Sequence, residues 1–195
     1  MNWTDWRAEF PILARRNYLN SCSLGALSQR ALRRVSAFHE EWHTYGASAW
    51  YEIWMSRLAE LRGGVARMVG ARDDEIALAA STSAALSVLG SAFDYGRRNR
   101  VVLAELDFPT VAYQWMVRPG VEVVRVPSDD GVAIDPARMA AAIDDRTAIV
   151  SISHVFFTTG AIQEMAPIAE AARRAGAFFV IDAYQSAGQV PIDVA

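Results

Sequence analysis

The clearest indication of the fold comes from residues 147–183, which read TAIVSISHVFFTTGAIQEMAPIAEAARRAGAFFVIDA. The opening run of this stretch, 147–153, is mostly apolar and β-forming, which predicts a strand buried on both faces. Residues 163–175 predict a helix, which Gly176 ends. A second apolar run over 177–183 predicts another strand. Strand, helix and strand at this spacing indicate a βαβ unit with parallel strands.

The same alternation of strands and helices runs back from this unit to about Asp74. Three further apolar runs predict strands at 75–80, 101–106 and 121–126. Three intervening segments predict helices at 83–94, 109–117 and 135–143. This alternation is typical of an α/β fold with a mostly parallel sheet sandwiched by helices. Because the predicted sheet does not close within the chain, we expect residues 74–195 to form an incomplete large domain.

The first 73 residues differ from the rest and predict an N-terminal helical segment. Helices are predicted over 28–45, where Ser28 can cap the first turn, and over 51–69. Five of the six tryptophans lie in this segment: Trp3, Trp6, Trp42, Trp50 and Trp54. Aromatic side chains in this number suit a surface that packs against a second copy of the chain or contacts a substrate.

The composition excludes several classes of protein. Of the 195 residues, 52% are hydrophobic and 21% are charged, which provides for a core and excludes wholesale disorder. A net charge of -3 does not favour a nucleic-acid partner. The single cysteine, Cys22, excludes a disulfide framework, and we expect it to be a small buried or half-buried residue. No apolar run is long enough to cross a membrane, so we expect a cytoplasmic protein without a membrane partner.

Polar and aromatic side chains follow the predicted strands at their carboxyl ends, where open parallel sheets bind ligands. Thr82 and Ser83 open a helix and offer either a cradle for a phosphate or a simple cap. Phe108 is either a platform for a planar ligand or a core residue. Asp182 either faces a protonated ring nitrogen or caps the next segment. Taken together, the ligand-binding interpretations describe a pocket for pyridoxal 5'-phosphate.

Five stretches of the sequence carry a resemblance to a known family: YLNSCSLGALS (18–28), STSAAL (81–86), DFPT (107–110), SHVFFTTG (153–160) and VIDAYQSAGQVPIDV (180–194). They resemble the N-terminal portion of class V aminotransferase-like enzymes, in the fold type I superfamily that depends on pyridoxal phosphate. The similarity is to the kynureninase and cysteine desulfurase branches and extends from about Tyr18 to the last residue. The resemblance implies part of the large cofactor domain of fold type I. It also implies a transferase or lyase that acts on an amino acid or amine, as a homodimer.

The resemblance places six residues on the cofactor: Thr82, Ser83, Phe108, Thr159, Asp182 and Gln185. It implies that Thr82 and Ser83 hold the phosphate and that Phe108 stacks on the ring. Asp182 falls where the family holds the pyridine nitrogen, and Gln185 falls where it contacts the ring oxygen. Thr159 is expected to touch the cofactor or the substrate. No metal ligand is implied.

Lysine is missing from the sequence, because all 19 residues counted as Lys or Arg are Arg. The family's Schiff-base lysine has no counterpart here, so the chain offers no catalytic residue and is expected to be inactive alone. Phe157 stands where desulfurases have Asn, and Val111 stands where kynureninases carry an acid, so neither activity carries over cleanly. The resemblance leaves a kynureninase-like and a desulfurase/lyase-like reaction open. The alternative is a lysine-free pseudoenzyme, or half of a split enzyme, that acts as a binding or assembly module with a complementary chain.

A second chemistry is suggested by His39-Glu40-Glu41-Trp42-His43, which matches the HExxH pattern of zinc hydrolases. Two histidines at this spacing lie on one face of a helix, and zinc needs a third ligand. Since Phe38 and Trp42 mark the same segment as a packing helix, the zinc hydrolase is the minor alternative. His154, the remaining histidine, has no assigned role.

Overall fold

The computed structural model of the protein describes residues 2–194. Their contacts divide them into two compact units, each described by itself below. The first comprises 2–67 with 72–76, and the second comprises 68–71 with 77–194. The division into functional domains at residue 73 stays a prediction. Within residues 2–194, no helix is long and apolar enough to cross a membrane.

The first unit is helical. Its elements are α1 (Trp3–Ala8), a 3-10 turn (Pro11–Ala14), α2 (Gln29–Tyr45), a second 3-10 turn (Gly46–Ser48), a π-helical turn (Trp50–Trp54), most of α3 (Met55–Val69) and a third 3-10 turn (Asp73–Glu75). The prediction of a helix over 28–45 is confirmed by α2. The backbone N–H of Ala31 donates to the Ser28 hydroxyl at 3.0 Å, so Ser28 caps the first turn as predicted.

The helix predicted over 51–69 begins with a different geometry. The backbone N–H of Met55 donates to the carbonyl of Trp50, which is the wider spacing of a π turn. In this arrangement the ring of Trp54 stacks on Phe38 of α2, with ring centroids 4.9 Å apart. The α-helical geometry starts only at Met55.

The second unit contains a four-stranded parallel sheet. Its strands are β1 (Arg100–Ala104), β2 (Glu122–Val126), β3 (Thr147–Ser153) and β4 (Phe178–Asp182), in the order β2-β1-β3-β4. Its helices are α4 (Thr82–Ser91), α5 (Pro109–Met116), α6 (Pro136–Ala141) and α7 (Ala166–Ala175). All seven residues of β3 are buried, as expected for a strand covered on both faces. The α/β fold with a parallel sheet is therefore confirmed.

Alternate residues of β1 pack into two different cores. Val101 and Leu103 lie in a cluster with Trp115 of α5. Val102 lies in the other cluster, with Ile168 of α7. Since side chains alternate along a strand, α4 and α5 cover one face of the sheet and α6 and α7 cover the other. This confirms that helices sandwich the sheet.

The prediction of a strand over 75–80 is wrong. Asp73–Glu75 form a 3-10 turn, and residues 76–79 lie outside any helix or strand. A strand needs a hydrogen-bonded neighbour, and none of the strands described for residues 2–194 pairs with this segment. The apolar composition of the segment therefore did not suffice to make it a strand.

Two predicted boundaries move by several residues for local reasons. The first strand stops at Ala104 rather than at 106, because the chain turns and the backbone N–H of Asp107 reaches the Ala104 carbonyl. The helix predicted over 163–175 starts at Ala166, with Pro167 in its first turn, where proline is well tolerated. The predicted stop is confirmed, since Gly176 has a φ of 65°, in the left-handed region.

Candidate active site

The strands of the parallel sheet deliver the candidate residues to one edge. β1 leads into Phe108, β3 leads into His154, and β4 ends at Asp182. Carboxyl ends of parallel strands lie together, so these three residues share an edge. The ends of β3 and β4 are joined directly, because the backbone N–H of His154 donates to the Asp182 carbonyl at 2.9 Å.

The amino-terminal end of α4 combines a capping residue with two further hydroxyl-bearing residues. The Ser81 hydroxyl accepts from the backbone N–H of Ala84 at 3.1 Å, so Ser81 is the cap. Thr82 and Ser83 are then the first two helical residues. Their backbone N–H groups lie in the first turn, where the helix has unpaired donors and a positive end.

A second helix meets α4 at this point. The Ser83 hydroxyl lies 3.0 Å from the Thr110 hydroxyl, in the first turn of α5. Two helix amino-terminal ends and two hydroxyls are thus brought together, an arrangement that suits an anion. Thr110 was not among the predicted site residues. The sequence signal that could have identified Thr110 is a hydroxyl-bearing residue directly after Phe108-Pro109.

About half of the surface of Phe108 is exposed (48%), so Phe108 is not a core residue. It packs edge-on against Phe157, with ring centroids 5.1 Å apart and planes at 80°. One ring therefore supports the other while Phe108 keeps surface for a planar ligand. Phe157 stood out in the sequence only as a departure from desulfurases, and its contact with Phe108 was not predicted.

Asp182 is the last residue of β4 and is partly buried. Its Oδ1 atom accepts from the backbone N–H of Tyr184 at 2.9 Å. The carboxylate therefore caps the turn that follows, which was one of the two interpretations of this residue. Gln185 lies in that turn and is half-buried. Both predicted ligand-binding roles remain predictions.

A buried carboxylate next to this edge was not assigned any role from the sequence. Asp107 is only 8% exposed, and its two oxygens accept from the backbone N–H groups of Ala104 and Ser153, at 2.9 and 2.7 Å. Burial raises the pKa of Asp107 from its ordinary value of 3.8 to about 6, and the negative charge of Asp182 acts in the same direction. The sequence signal that could have identified Asp107 is an acidic residue between the end of a strand and an aromatic residue.

A comparison with models of protein families shows to which family the chain belongs. The family model for Aminotransferase class-V matches residues 17–195. The chain belongs to the class V aminotransferase family. Proteins named kynureninase and cysteine desulfurase are among those that the chain matches, so the predicted family is confirmed.

Three comparisons illustrate the similarity of this class V aminotransferase chain. It is 34% identical to the "Uncharacterized aminotransferase YcbU" of Bacillus subtilis, over 97% of this chain and 50% of that protein. It is 31% identical to a kynureninase of Burkholderia mallei, over 96% of this chain and 47% of that protein. The structure of C-DES with glycine covalently linked to its pyridoxal phosphate cofactor superposes with a TM-score of 0.85 at 22% identity, over 96% of this chain and 51% of that one.

These matches confirm the fold type I architecture and also its partial extent. The chain spans about half the length of the curated relatives it matches, and the part it covers is their N-terminal half. The fold of C-DES is shared across this half, which includes the four-stranded sheet.

The residues at the sheet edge are compatible with the cofactor of class V aminotransferases. The paired hydroxyls of Ser83 and Thr110 suit a phosphate, and the half-exposed ring of Phe108 suits a flat pyridine. The carboxylate of Asp182 suits a protonated ring nitrogen. This combination of an anion cradle, a ring platform and an acid is what such a cofactor needs from the protein.

Thr159 has other partners in this structure. Its hydroxyl donates to the Val132 carbonyl at 2.8 Å and accepts from the backbone N–H of Ala161 at 3.2 Å. These bonds hold a loop and do not support a contact with the cofactor, which stays a prediction. His154 is fixed through its backbone, since its carbonyl accepts from the N–H of Gln163.

The zinc alternative gains no support. His39 and His43 lie on α2 as predicted, but no group of three or more His, Cys, Asp or Glu in the described residues is placed to hold a metal ion. The expectation for Cys22 is wrong, because Cys22 is exposed in a turn. Its thiol lies 3.4 Å from the side-chain oxygen of Asn20.

Proposed function

We propose that this chain supplies the cofactor-holding part of a pyridoxal phosphate enzyme that acts on an amino acid or amine. The observation that carries the proposal is the Ser83–Thr110 hydroxyl pair at two helix amino-terminal ends, on the sheet edge that also holds Phe108 and Asp182. The cofactor, when bound, supplies an electron sink for charge that develops on the substrate.

Each residue has a distinct task in this proposal. The hydroxyls of Thr82, Ser83 and Thr110, with nearby backbone N–H groups, bind the phosphate. Phe108 fixes the plane of the ring, and Asp182 holds a proton on the ring nitrogen. A proton at that atom strengthens the electron sink, because it places positive charge where electron density must go. Gln185 donates toward the ring oxygen.

We propose that the lysine comes from outside these residues and that the chain is inactive alone. The chain contains no lysine and spans about half of its relatives. Within residues 2–194, β4 pairs only with β3. Two apolar side chains of β4, Phe178 and Ile181, are exposed. An open, apolar strand edge supports pairing with a further strand. The second candidate is a lysine-free pseudoenzyme that binds the cofactor without turnover. The absence of lysine from the chain favours this candidate as much as it favours a lysine supplied from outside.

The substrate is a small amino acid or amine in a kynureninase-like or a desulfurase/lyase-like reaction. The aromatic wall of Phe108 and Phe157 supports a substrate with apolar or aromatic character beside the cofactor. A partner supplies the groups that recognise the rest of the substrate. We further propose that the enzyme works in the cytoplasm, since its single cysteine does not indicate an oxidising compartment.

A second copy of the chain is the proposed partner of the first unit. Apolar side chains on α2 are 41% to 61% exposed and recur at helical spacing: Val35, Phe38, Trp42 and Tyr45. An exposed aromatic face of this kind is typical of an interface. Light scattering should give the mass of a dimer, and Trp42→Glu should give that of a monomer, whereas a monomeric wild-type protein contradicts the proposal.

The cofactor proposal is tested by equilibrium binding. Pyridoxamine phosphate is the appropriate probe because it has no aldehyde, so its binding does not need a lysine. Calorimetry should show saturable binding with one site per chain, and borohydride should fix no pyridoxal phosphate onto a side chain. A protein that binds neither compound contradicts the proposal, and turnover by the purified chain alone contradicts its inactivity.

A further inference from the structure

Asp107 connects the ends of two central strands through both of its carboxylate oxygens. One oxygen accepts from the backbone N–H of Ala104, the last residue of β1, at 2.9 Å. The other accepts from the backbone N–H of Ser153, the last residue of β3, at 2.7 Å. The side chain is buried between these strand ends, so the two bonds fix their relative position.

The same side chain links the two residues that are proposed to hold a pyridine ring. Asp107 directly precedes Phe108 in the chain. Its partner Ser153 is the register neighbour of Asp182 across the β3–β4 pair. A path through the chain, a hydrogen bond and a strand pairing therefore links the ring platform to the acid, and Asp107 lies on it.

Burial of this carboxylate is unfavourable for folding. A charged carboxyl loses its hydration when it is buried, and the pKa of about 6 reflects this loss. The neighbouring charge of Asp182 adds repulsion. A charged group held at such a position, beside a candidate site, is typical of residues that serve function rather than stability.

We propose that Asp107 is a positioning residue that fixes the direction of the Phe108 ring relative to Asp182 and thereby the orientation in which a pyridine ring is held. Asp107 itself does not touch the ligand in this arrangement. The proposal rests on the proposed function, since it assigns the ring site to Phe108 and Asp182. The phosphate end of the site also includes Thr82 and Ser83, which lie on a different helix, α4.

The test compares Asp107→Asn with Asp144→Asn in the full chain. Asp107→Asn keeps the shape of the side chain but presents an amide N–H group to one of the two backbone donors, so one bond is lost. Asp144 lies at the opposite end of β3, where it accepts from the backbone N–H of Arg146 at 3.1 Å. It also forms an ion pair with Arg100, so it is a control carboxylate with structural contacts outside the site.

Two probes separate the ring from the phosphate. For Asp107→Asn we expect the dissociation constant of pyridoxamine phosphate to rise about tenfold and that of inorganic phosphate to change by less than about twofold. The circular dichroism of the bound pyridine should collapse, because a loosely held ring loses its fixed asymmetric surroundings. Asp144→Asn should leave all three readouts as in the wild-type protein.

Several results overturn the proposal. A folded Asp107→Asn protein with unchanged pyridoxamine phosphate affinity and dichroism overturns the role of Asp107 alone. Equal losses for both probes overturn it as well, because they indicate general collapse of the site. A wild-type protein that binds inorganic phosphate but not pyridoxamine phosphate overturns the proposed function, and the positioning role with it.

A measurement on the wild-type protein covers the case in which the variant does not fold. Pyridoxamine phosphate should slow hydrogen exchange at the backbone N–H groups of Ala104 and Ser153, since ligand binding tightens the contacts that Asp107 makes. The backbone N–H of Arg146 should be unaffected. Unchanged exchange at Ala104 and Ser153 in the ligand-bound protein overturns the proposal.

Discussion

The hydroxyls of Ser83 and Thr110 lie 3.0 Å apart although 27 positions separate them in the chain. The two residues stand in the first turns of α4 and α5, which pack together on one face of the sheet. Their contact therefore joins two helix amino-terminal ends at one point. We expect a phosphate bound at this point to meet a hydroxyl from each helix and the first-turn backbone N–H groups of α4.

Removal of the hydroxyl pair should weaken phosphate binding. For Ser83→Ala with Thr110→Val, we expect the dissociation constant of pyridoxamine phosphate to rise at least about tenfold, or about 1.4 kcal/mol, because the hydroxyl donor that the pair offers to a phosphate is lost. Ser91→Ala is the control, since that hydroxyl donates to the Val88 carbonyl at the other end of α4. Calorimetry measures both, and equal affinities in the two variants contradict the assignment.

Replacement of Asp182 should change the protonation of the bound ring. A carboxylate beside the ring nitrogen stabilises the protonated pyridine and raises its pKa, so Asp182→Asn should lower that pKa. A spectroscopic pH titration of bound pyridoxamine phosphate measures the shift. Asp94→Asn serves as the control, because Asp94 caps a turn before the amino-terminal end of β1. The same ring titration in both variants contradicts the proposed role.

The raised pKa of Asp107 makes stability depend on pH in a defined direction. Between the ordinary value of 3.8 and the folded value of about 6, the folded state keeps a proton that the unfolded chain releases. The contribution of Asp107 to the free energy of unfolding therefore falls as pH rises through this window, by up to about 3 kcal/mol, and stays low above it. Asp107→Asn lacks this dependence.

Urea unfolding of the wild-type protein and of Asp107→Asn measures the effect. The wild-type protein should lose stability relative to the variant between about pH 4 and about pH 7. Other titrating groups are common to both proteins, so they cancel in the difference. A difference that stays constant across this range contradicts the raised pKa.

Gly90 should be essential for the packing of α4 against α5. A Cβ atom there would lie 2.7 Å from the ring of Trp115, which is fully buried and unable to move aside. Gly90→Ala should therefore destabilise the protein by about 1–3 kcal/mol. Gly64→Ala in α3 is the matched control, since no atom lies within 4 Å of its Cβ position and alanine favours a helix by about 1 kcal/mol. Thermal unfolding that ranks the two variants in the opposite order contradicts the packing argument.

Local sequence signals predicted the helices and most of the strands. Ser28 begins α2 and Gly176 ends α7 because a hydroxyl cap and a left-handed glycine act on neighbouring backbone groups. The segment 75–80 was the failure, because a strand depends on a partner that its own composition does not specify. Phe108 and Asp182 were expected at one edge because parallel strands present their carboxyl ends together.

What the sequence determined by itself is the alternation of strands and helices, the composition without lysine and the motifs of the class V aminotransferase family. These properties are local or countable, so no knowledge of distant contacts is needed. The tertiary structure alone decided the strand order β2-β1-β3-β4, the meeting of Ser83 with Thr110 and the burial of Asp107 between two strand ends. Each depends on residues far apart in the chain, which packing of the helices on the sheet brings together and which local periodicity does not encode.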